Sequence, residues 1–175
     1  MKIFQILQEN PPWVLRGIKN SDLKTLEWGN HFKRYRKLMR LSFEDHQAGK
    51  KVYLVAEMEG KIAGQIVIDW RILVDKEKSD GVERAYLYSL RVFPPYRNKG
   101  LGTKMILFCE NFLKERNFKF VTIACERKNL RALKLYERLR FKIFKQEDTP
   151  WEFFDDQGKL RKITEPEWVL QKCIM

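Results

Sequence analysis

The stretch Arg91–Met105, RVFPPYRNKGLGTKM, decides how the chain is interpreted. It begins like a strand, breaks at two prolines, and places Gly100 and Gly102 immediately before a helical pattern. A helix N-terminus carries unpaired backbone N–H groups and a partial positive charge, and glycines allow a ligand to approach those groups closely. The stretch therefore predicts a strand–turn–helix unit that binds an anion, and phosphate is the common ligand of such a site.

Two familiar phosphate-binding patterns do not fit this turn. The Walker pattern needs Gly-x-x-x-x-Gly-Lys-Ser/Thr, whereas the order in Gly102-Thr103-Lys104 is wrong. The dinucleotide fingerprint needs a third glycine at the position of Met105. What fits is Arg97-x-x-Gly100-x-Gly102 at a strand-to-helix turn, so neither of these two nucleotide sites is predicted.

Strands and helices alternate around the turn. The runs 84–93 and 118–125 both indicate strands, and the helical pattern lies between them. The helix has one apolar stripe, formed by Leu101, Met105, Phe108, Cys109 and Phe112. Two strands joined through a helix predict a right-handed parallel crossover. A second helix is predicted at 129–139.

The first half and the tail of the chain are rich in strand patterns. In the first half, the patterns predict a strand at 13–18 and then a helix that starts at Ser21 or Asp22. They further predict a basic amphipathic helix at 31–43 and a β-hairpin formed by strands 52–58 and 62–70. The tail predicts a strand at 141–145, a hairpin at 151–163 and a final strand at 167–174. The predicted fold class is α/β (α+β), with a mixed, mostly antiparallel central sheet flanked by helices. No linker or repeat divides the chain, so we expect a single domain over residues 1–175.

Composition narrows the classes of function. The chain has 175 residues, 44% hydrophobic and 13% aromatic, which suits one folded domain. Its 35 lysines and arginines exceed its 23 aspartates and glutamates, giving a formal net charge of +12. Such a charge attracts nucleic acid, acidic membranes or phosphorylated ligands, or it simply forms a lysine-rich surface. No apolar run reaches the roughly 18 residues of a membrane span, and residues 1–15 lack the features of a signal peptide, so we expect no membrane attachment.

The cysteines give no sign of a metal or disulfide framework. Cys109, Cys125 and Cys173 are far apart, and no Cys-x-x-Cys pair occurs. Free buried thiols in a reducing compartment are the expected state, and we therefore expect a cytoplasmic protein without a metal site.

Residues 84–144 resemble the Gcn5-related N-acetyltransferases (GNAT superfamily). That family has Arg/Gln-x-x-Gly-x-Gly/Ala after a strand ending in a Val-x-Pro-x-Tyr-like run, and Val92–Gly102 here read VFPPYRNKGLG. The family's next motif has Asn, Ala three residues later, then Leu-Tyr-Glu and a terminal Phe, and Asn129–Phe141 here read NLRALKLYERLRF. One position departs, because Arg140 replaces the usual Gly before that Phe. Either Arg140 adopts a left-handed conformation that costs on the order of 1 kcal/mol, or the helix ends differently.

The resemblance implies the GNAT acyl-CoA N-acyltransferase fold, with acetyl-CoA as co-substrate. Backbone groups of β-strand residues would pair with the pantetheine arm, and N–H groups of the glycine turn would hold the pyrophosphate. Arg97 and Lys99 would add charge, although a solvated basic pair is the alternative. Asn129 would hydrogen-bond the cofactor arm, cap its helix, or do both. The cofactor-binding residues that the resemblance implies are Leu90, Arg91, Val92, Arg97, Asn98, Lys99, Gly100, Leu101, Gly102, Thr103 and Asn129.

The resemblance also implies a mechanism of direct attack in a ternary complex. In this family a neutral amine attacks the thioester, and a backbone N–H near Val92 stabilises the carbonyl oxygen. The counterpart of Tyr136 lies near the sulfur, so Tyr136 is the candidate catalytic acid that protonates the leaving thiolate. The alternative is that Tyr136 is one more apolar member of its helix stripe.

No general base is nominated. Glu83, Glu126 and Asp69 are carboxylates near strand ends, and Tyr86 and Tyr88 share one face of a strand. His31 and His46 are each isolated and are expected at the surface. Deprotonation through water would need no fixed carboxylate.

Three functions stay open at this point. The first is an N-acetyltransferase whose acceptor is an amine of a small molecule or of a protein. The second is a basic nucleic-acid-binding module, although no helix-turn-helix, zinc or RNP-type pattern appears. The third is a GNAT-fold protein that binds CoA without catalysis. The basic helix at 31–43 suits an acidic acceptor, or it is merely a solvated face. The chain is compatible with a monomer or a homodimer.

Overall fold

The computed structural model describes residues 4–7, 13–27, 30–33, 35–70, 75–155 and 157–175. The strands are β1 Phe4–Leu7, β2 Trp13–Gly17, β3 Lys51–Met58, β4 Lys61–Asp69, β5 Arg84–Val92, β6 Phe120–Glu126, β7 Lys142–Phe154 and β8 Leu160–Cys173. The α-helices are α1 Asp22–Leu26, α2 Asn30–Lys33, α3 Arg36–Gln47, α4 Leu101–Lys114 and α5 Leu130–Arg138. A short 3-10 helix at Pro94–Tyr96 leads from β5 towards α4.

The described strands form one sheet in the order β1-β2-β3-β4-β5-β6-β8-β7. β5 and β6 pair in parallel, and the other neighbouring strands pair antiparallel. α4 connects β5 to β6, as expected for the predicted parallel crossover. The prediction of a mixed, mostly antiparallel sheet flanked by helices is confirmed.

Apolar side chains pack on both faces of this sheet. One cluster joins Leu101 of α4 to Leu87 of β5 and Ile123 of β6. A second cluster joins Leu26 of α1 and Met39 of α3 to β3 and β4. Full burial of one such side chain contributes roughly 1.5–3 kcal/mol, so the two layers together hold the central strands in place. Among the described helices, none has the length and apolar character that a membrane span requires.

The basic helix predicted at 31–43 is two helices, α2 and α3. The break falls at Tyr35, whose backbone has φ −93° and ψ 3°. The ring of Tyr35 stacks on Trp151 of the tail, with 5.3 Å between the ring centroids. Packing against a distant strand therefore accompanies the break, and a local helical pattern carries no information about it. Arg34, part of the predicted basic face, lies outside the described residues.

The tail forms two long strands where a short strand, a hairpin and a final strand were predicted. Pro150 and Pro166 fall in the intervals between the predicted strands, yet both lie inside strands. Pro150 is tolerated because β7 is the edge strand of the sheet. Pro166 is tolerated because β6 pairs with β8 only as far as Glu167, so Pro166 lies just beyond that ladder. β1 is a further strand that the sequence did not predict.

The structure defines the start of α1 and the end of α5, for which the sequence allowed alternatives. α1 begins at Asp22, whose carboxylate accepts a hydrogen bond from the Lys19 N–H at 2.7 Å. Ser21 makes no side-chain cap. At the end of α5, Arg140 adopts the left-handed conformation with φ 68°, and the Phe141 N–H donates to the Tyr136 carbonyl at 3.0 Å. The chain therefore keeps the left-handed helix ending without the glycine that usually occupies it.

Candidate active site

A gap opens in the sheet where β5 and β6 stop pairing. Their ladder runs from Arg84 opposite Phe120 to Leu87 opposite Ile123 and ends there. Beyond that point β5 continues to pair with β4, and β6 continues to pair with β8 up to Glu126. The two strands therefore separate from Tyr88 onward, and the backbone groups on their facing edges no longer pair with each other.

A bulge in β5 lies at the start of this gap. Gln65 of β4 is opposite Arg91, whereas Val67 is opposite Tyr88, so Ser89 and Leu90 together face one residue of β4. Ser89 has a positive φ of 53°, which is uncommon for a residue with a side chain. Such bulges re-aim the strand at functional sites.

Backbone N–H groups after the bulge point in alternating directions. The Phe93 N–H donates to the Ala63 carbonyl of β4 at 2.8 Å. Because hydrogen-bonded and non-hydrogen-bonded positions alternate along an antiparallel strand, the Val92 N–H faces away from β4 and into the gap. The gap thus has a backbone donor at a position that the sequence implicated.

The glycine turn forms the floor of the same region. Gly100 has a left-handed φ of 79°, and Asn98 has a φ of 61°. The Arg97 Nε donates to the Val92 carbonyl at 2.8 Å, and Arg131 of α5 donates to Asn98 Oδ1 at 2.5 Å. α4 begins at Leu101, so its first N–H groups have no partner within the helix and point towards the turn.

The glycine turn, the end of β5 and α5 enclose a cleft of about 750 Å³. Every predicted site residue lines this cleft except Lys99. Several lining residues were not predicted from the sequence, among them Phe32, Tyr96, Arg131, Lys134 and Arg138. The three basic ones follow i, i+3, i+7 spacing, so a search for charge at helical spacing after Asn129 would have found them. Phe32 comes from α2, and no local pattern connects it with the cleft.

Tyr136 reaches the cleft from α5 and is only 5% exposed. Burial, and secondarily the neighbouring Cys125, raises the pKa of its phenol. Burial likewise raises the pKa of the Cys125 thiol, to about 11. A thiol and a phenol in this region are therefore both held in their neutral forms near neutral pH. Asn129 caps α5, because its side-chain oxygen accepts a hydrogen bond from the Ala132 N–H at 3.1 Å.

The residues considered as bases have partners of their own. Asp69 pairs with Lys51 at 3.2 Å, Glu126 pairs with Lys128 at 2.8 Å, and Glu83 pairs with Lys119. Each of the three carboxylates is thus held in an ion pair with a lysine. None of these three carboxylates therefore stands out as a base.

The tyrosines and histidines of the prediction also have partners. Tyr86 and Tyr88 stack with 5.7 Å between ring centroids, and the Tyr88 hydroxyl lies 3.1 Å from that of Ser42. His46 was expected at the surface, but it is half-buried and accepts a hydrogen bond from the Tyr53 N–H at 3.3 Å. That expectation is wrong because the imidazole of His46 packs directly over Gly17, which has no side chain to occupy this space. The side chain of His31 lies outside the described residues.

Three glutamates that the sequence analysis did not connect lie in register. Glu126 of β6 is opposite Glu167 of β8, which is opposite Glu147 of β7. The amino group of Lys78 pairs with Glu147 and lies 5.5 Å from the ring centroid of Tyr86. Burial, the largest single cause, raises the pKa of Glu147, but the hydrogen bond and charge of Lys78 together with the hydrogen bonds of Thr149 and Lys145 outweigh it and lower the pKa. Glu147 is therefore ionised at neutral pH.

The thiols follow the prediction in two of three cases. Cys109 and Cys125 are free and buried, whereas Cys173 is free and exposed. Cys173 is the last residue of β8, where the alternation of the strand turns its side chain outward.

Comparison with known proteins identifies the family. Residues 20–141 match the sequence profile described as "Acetyltransferase (GNAT) family". An N-alpha-acetyltransferase of Sulfurisphaera tokodaii is 30% identical over 93 residues, which are 51% of this chain and 56% of that protein. The matching segment of this chain thus spans little more than half the length of that relative.

Solved structures share the fold at low sequence identity. The ribosomal-protein-S18-alanine N-acetyltransferase from Escherichia coli has a TM-score of 0.67 and 18% identity, covering 93% of this chain and 94% of that one. The spermidine N-acetyltransferase from Vibrio cholerae, solved with CoA and spermine, has a TM-score of 0.67 and 13% identity, covering 94% and 96%. At these identities the likeness concerns the fold alone.

Proposed function

The chain belongs to the acetyltransferase (GNAT) family, and from this premise we propose that it is an N-acetyltransferase that moves an acetyl group from acetyl-CoA to an amine. The observation that carries the proposal is the gap between β5 and β6, bordered by the glycine turn and by the buried Tyr136. A nucleic-acid-binding module would leave this arrangement without a purpose.

The chain has groups suited to each part of acetyl-CoA. The N–H groups at the start of α4, approached over Gly100, would bind the pyrophosphate. Arg97 and Arg131, which both line the cleft, would add positive charge around it. The inner edge of β5 would hydrogen-bond the amide-bearing pantetheine arm as an added strand does.

The acetyl transfer itself needs few side chains. The lone pair of the neutral amine attacks the thioester carbonyl carbon, the C–S bond breaks, and CoA leaves as a thiolate. Negative charge develops on the carbonyl oxygen, and backbone N–H groups of β5 that face the gap would stabilise it. The amine gives up one proton to water or to a base that we do not assign.

Tyr136 would supply a proton or a hydrogen bond to the leaving thiolate. A thiolate in water, with a pKa of about 8.5, is a weaker base than a phenolate, so this transfer would be unfavourable there. Burial does not reverse this order, because it raises the pKa of the Tyr136 phenol as well as that of the nearby Cys125 thiol, the latter to about 11. The neutral phenol would therefore stabilise the thiolate mainly by donating a hydrogen bond while the C–S bond breaks.

The acceptor would enter from the side of the sheet that carries α1 to α3. On this side the guanidinium of Arg91 lies 4.4 Å from the ring centroid of Phe32 and 5.1 Å from that of Tyr35. These three side chains would line the route of the acceptor. Part of the charge of α3 is already balanced, because Arg36 pairs with Glu27 at 2.6 Å. An acidic acceptor is thus favoured less than the sequence suggested. The α-amines of peptides are the first acceptors to test, given the N-alpha-acetyltransferase relative.

The test is an acceptor screen. Purified protein is incubated with acetyl-CoA and peptides with free N-termini that differ in charge, with spermidine as a polycationic comparison. Release of free CoA thiol together with an acetylated product in the mass spectrum supports the proposal. Tight binding of acetyl-CoA with no product from any amine class would instead favour a CoA-binding protein without catalysis.

A further inference from the structure

A buried chain of hydrogen bonds ends on the bulge of β5. The Tyr53 hydroxyl donates to Gln65 Oε1 at 2.9 Å, and Gln65 Nε2 donates to the Ser89 carbonyl at 3.3 Å. Both Tyr53 and Gln65 are 1% exposed. Tyr53 belongs to β3 and Gln65 to β4, so the chain crosses three adjacent strands on the face covered by α1 and α3.

The geometry of the peptide bond links this chain to the gap. The C=O and N–H of a trans peptide point in opposite directions. Because Gln65 lies on β4, its amide holds the Ser89 carbonyl towards β4. The N–H of Leu90 belongs to the same peptide and therefore points away from β4, towards the gap. Leu90 lines the cleft in which the thioester is proposed to bind.

The Ser89–Leu90 peptide needs such an anchor. Ser89 has the left-handed φ of 53°, a conformation that side-chain-bearing residues avoid unless the surroundings enforce it. The register shift between Gln65 and Val67 removes regular ladder bonds at this point. The side-chain amide of Gln65 takes the place of the missing ladder donor.

We propose that Tyr53 and Gln65 are positioning residues, which turn the Leu90 N–H into the gap and so set the strength with which it polarises the thioester carbonyl. The inference rests on the proposed acetyltransferase function. It assigns a role in the chemistry to two side chains that do not line the cleft. A purely structural role would instead affect stability and leave the carbonyl unchanged.

The test compares Gln65→Met and Tyr53→Phe with the wild type. Gln65→Met keeps the length of the side chain and removes the donor to Ser89, and Tyr53→Phe removes a single hydroxyl. Thr122→Val is the matched control, since Thr122 is also fully buried and donates to the Lys78 carbonyl at 2.6 Å. Thr122 lies where β5 and β6 are still paired.

Two readouts separate positioning from stability. Isotope-edited infrared spectra of carbonyl-labelled acetyl-CoA report the polarisation of the bound thioester, and they need no acceptor. We expect the bound C=O stretch of the wild type to lie below that of free acetyl-CoA, and to move back towards the free value in Gln65→Met. In Gln65→Met, turnover should fall on the order of tenfold, while the affinity for acetyl-CoA stays nearly constant. This loss is smaller than the roughly hundredfold loss that follows when an oxyanion donor itself is removed.

The outcomes distinguish failure of the positioning role from failure of the proposed acetyltransferase function. A wild-type C=O shift that persists in both variants would overturn the positioning role and leave the acetyltransferase function intact. An equal loss in Thr122→Val would also overturn it, because the effect would then be general destabilisation. If the wild-type protein does not bind acetyl-CoA, the proposed function fails, and the inference falls with it.

Discussion

The side chain of Tyr136 combines burial with access to the cleft. Its place in the helix stripe and its candidate role as an acid were alternatives from the sequence alone. In the structure its ring packs 6.2 Å from that of Phe141, centroid to centroid, while the residue also lines the cleft. The two interpretations are compatible, since one residue both packs against Phe141 and lines the cleft.

Tyr136→Phe should reduce kcat by about 10²-fold or more, the usual contribution of a general acid. The affinity for acetyl-CoA should stay close to that of the wild type, because the ring and its packing are kept. Steady-state kinetics with the best amine of the screen, together with calorimetric titration, measure the two quantities separately. Wild-type turnover in this variant would remove Tyr136 from the acid role.

The pH dependence of the rate follows from the direction of one pKa shift. Burial raises the pKa of Tyr136, so its phenol stays protonated at higher pH than an exposed tyrosine, which ionises near about 10. The amine acceptor must be neutral to attack, so kcat/KM should rise with pH until the amine is deprotonated. We expect no descending limb below about pH 10. A bell-shaped profile with an alkaline fall near pH 8 would contradict the assignment of Tyr136 as the acid.

Sequence patterns identified residues well where backbone conformation or local spacing decides their role. Gly100 was expected at a turn that needs glycine, and it has a φ of 79°. Arg131 and Phe32 were not expected at the cleft, because their positions depend on how α5 and α2 pack against other elements. The hydrogen-bond chain Tyr53–Gln65–Ser89 could not be predicted either, because its members are far apart in sequence and are brought together only by the register of the strands.

At the scale of elements, the end of α5 stores a small strain. Arg140 is left-handed with φ 68°, where a Cβ is unfavourable. The turn is nevertheless closed, because the Phe141 N–H donates to the Tyr136 carbonyl at 3.0 Å. The element keeps its geometry and accepts the cost of a non-glycine residue.

Arg140→Gly should therefore raise the free energy of unfolding by about 1 kcal/mol, since it relieves the left-handed strain. Chemical denaturation monitored by circular dichroism measures the change. Lys134→Gly, which removes a basic side chain from the middle of α5, is the matched control and should cost up to about 1 kcal/mol. Destabilisation by both substitutions would show that Arg140 makes favourable contacts that exceed its strain.

The glycine turn allows an equally direct comparison. Gly100→Val should abolish measurable binding of acetyl-CoA, because a branched side chain at φ 79° both strains the turn and occupies the approach to the α4 N-terminus. Gly60→Val is the control, since Gly60 has a similar φ of 73° in the β3–β4 turn and an added Cβ there meets nothing. Circular dichroism first confirms that both variants fold, and calorimetric titration then measures the affinity of each for acetyl-CoA. Similar affinity in the two variants would refute the assignment of the turn to the pyrophosphate.

Elements were predictable where their patterns were local. α4 begins at Leu101, where the glycines suggested, and the β3–β4 hairpin has bounds within one residue of the prediction. The bounds of the tail strands were predicted wrongly, and the missed intervals contain Pro150 and Pro166, which this sheet tolerates at an edge and beyond a ladder. Whether a proline is tolerated depends on the neighbouring strand, and this information is not local.

At the scale of the whole molecule, the net charge of +12 has an explanation that does not require nucleic acid. Several basic residues surround the cleft, including Arg97, Arg131, Lys134 and Arg138. Acetyl-CoA carries several phosphate charges, so a basic cleft attracts it by long-range electrostatics as well as by contact. The overall charge therefore fits a polyanionic co-substrate.

The central claim is that the cleft between the glycine turn and α5 binds acetyl-CoA. Calorimetric titration of the wild-type protein with acetyl-CoA, with ATP and NAD as controls for general phosphate binding, tests it most directly. We predict selective binding with a Kd near about 1 μM, equivalent to roughly 8 kcal/mol, and far weaker binding of ATP and NAD. Absence of acetyl-CoA binding, or equal binding of all three ligands, would contradict the account and make the basic surface itself the leading clue.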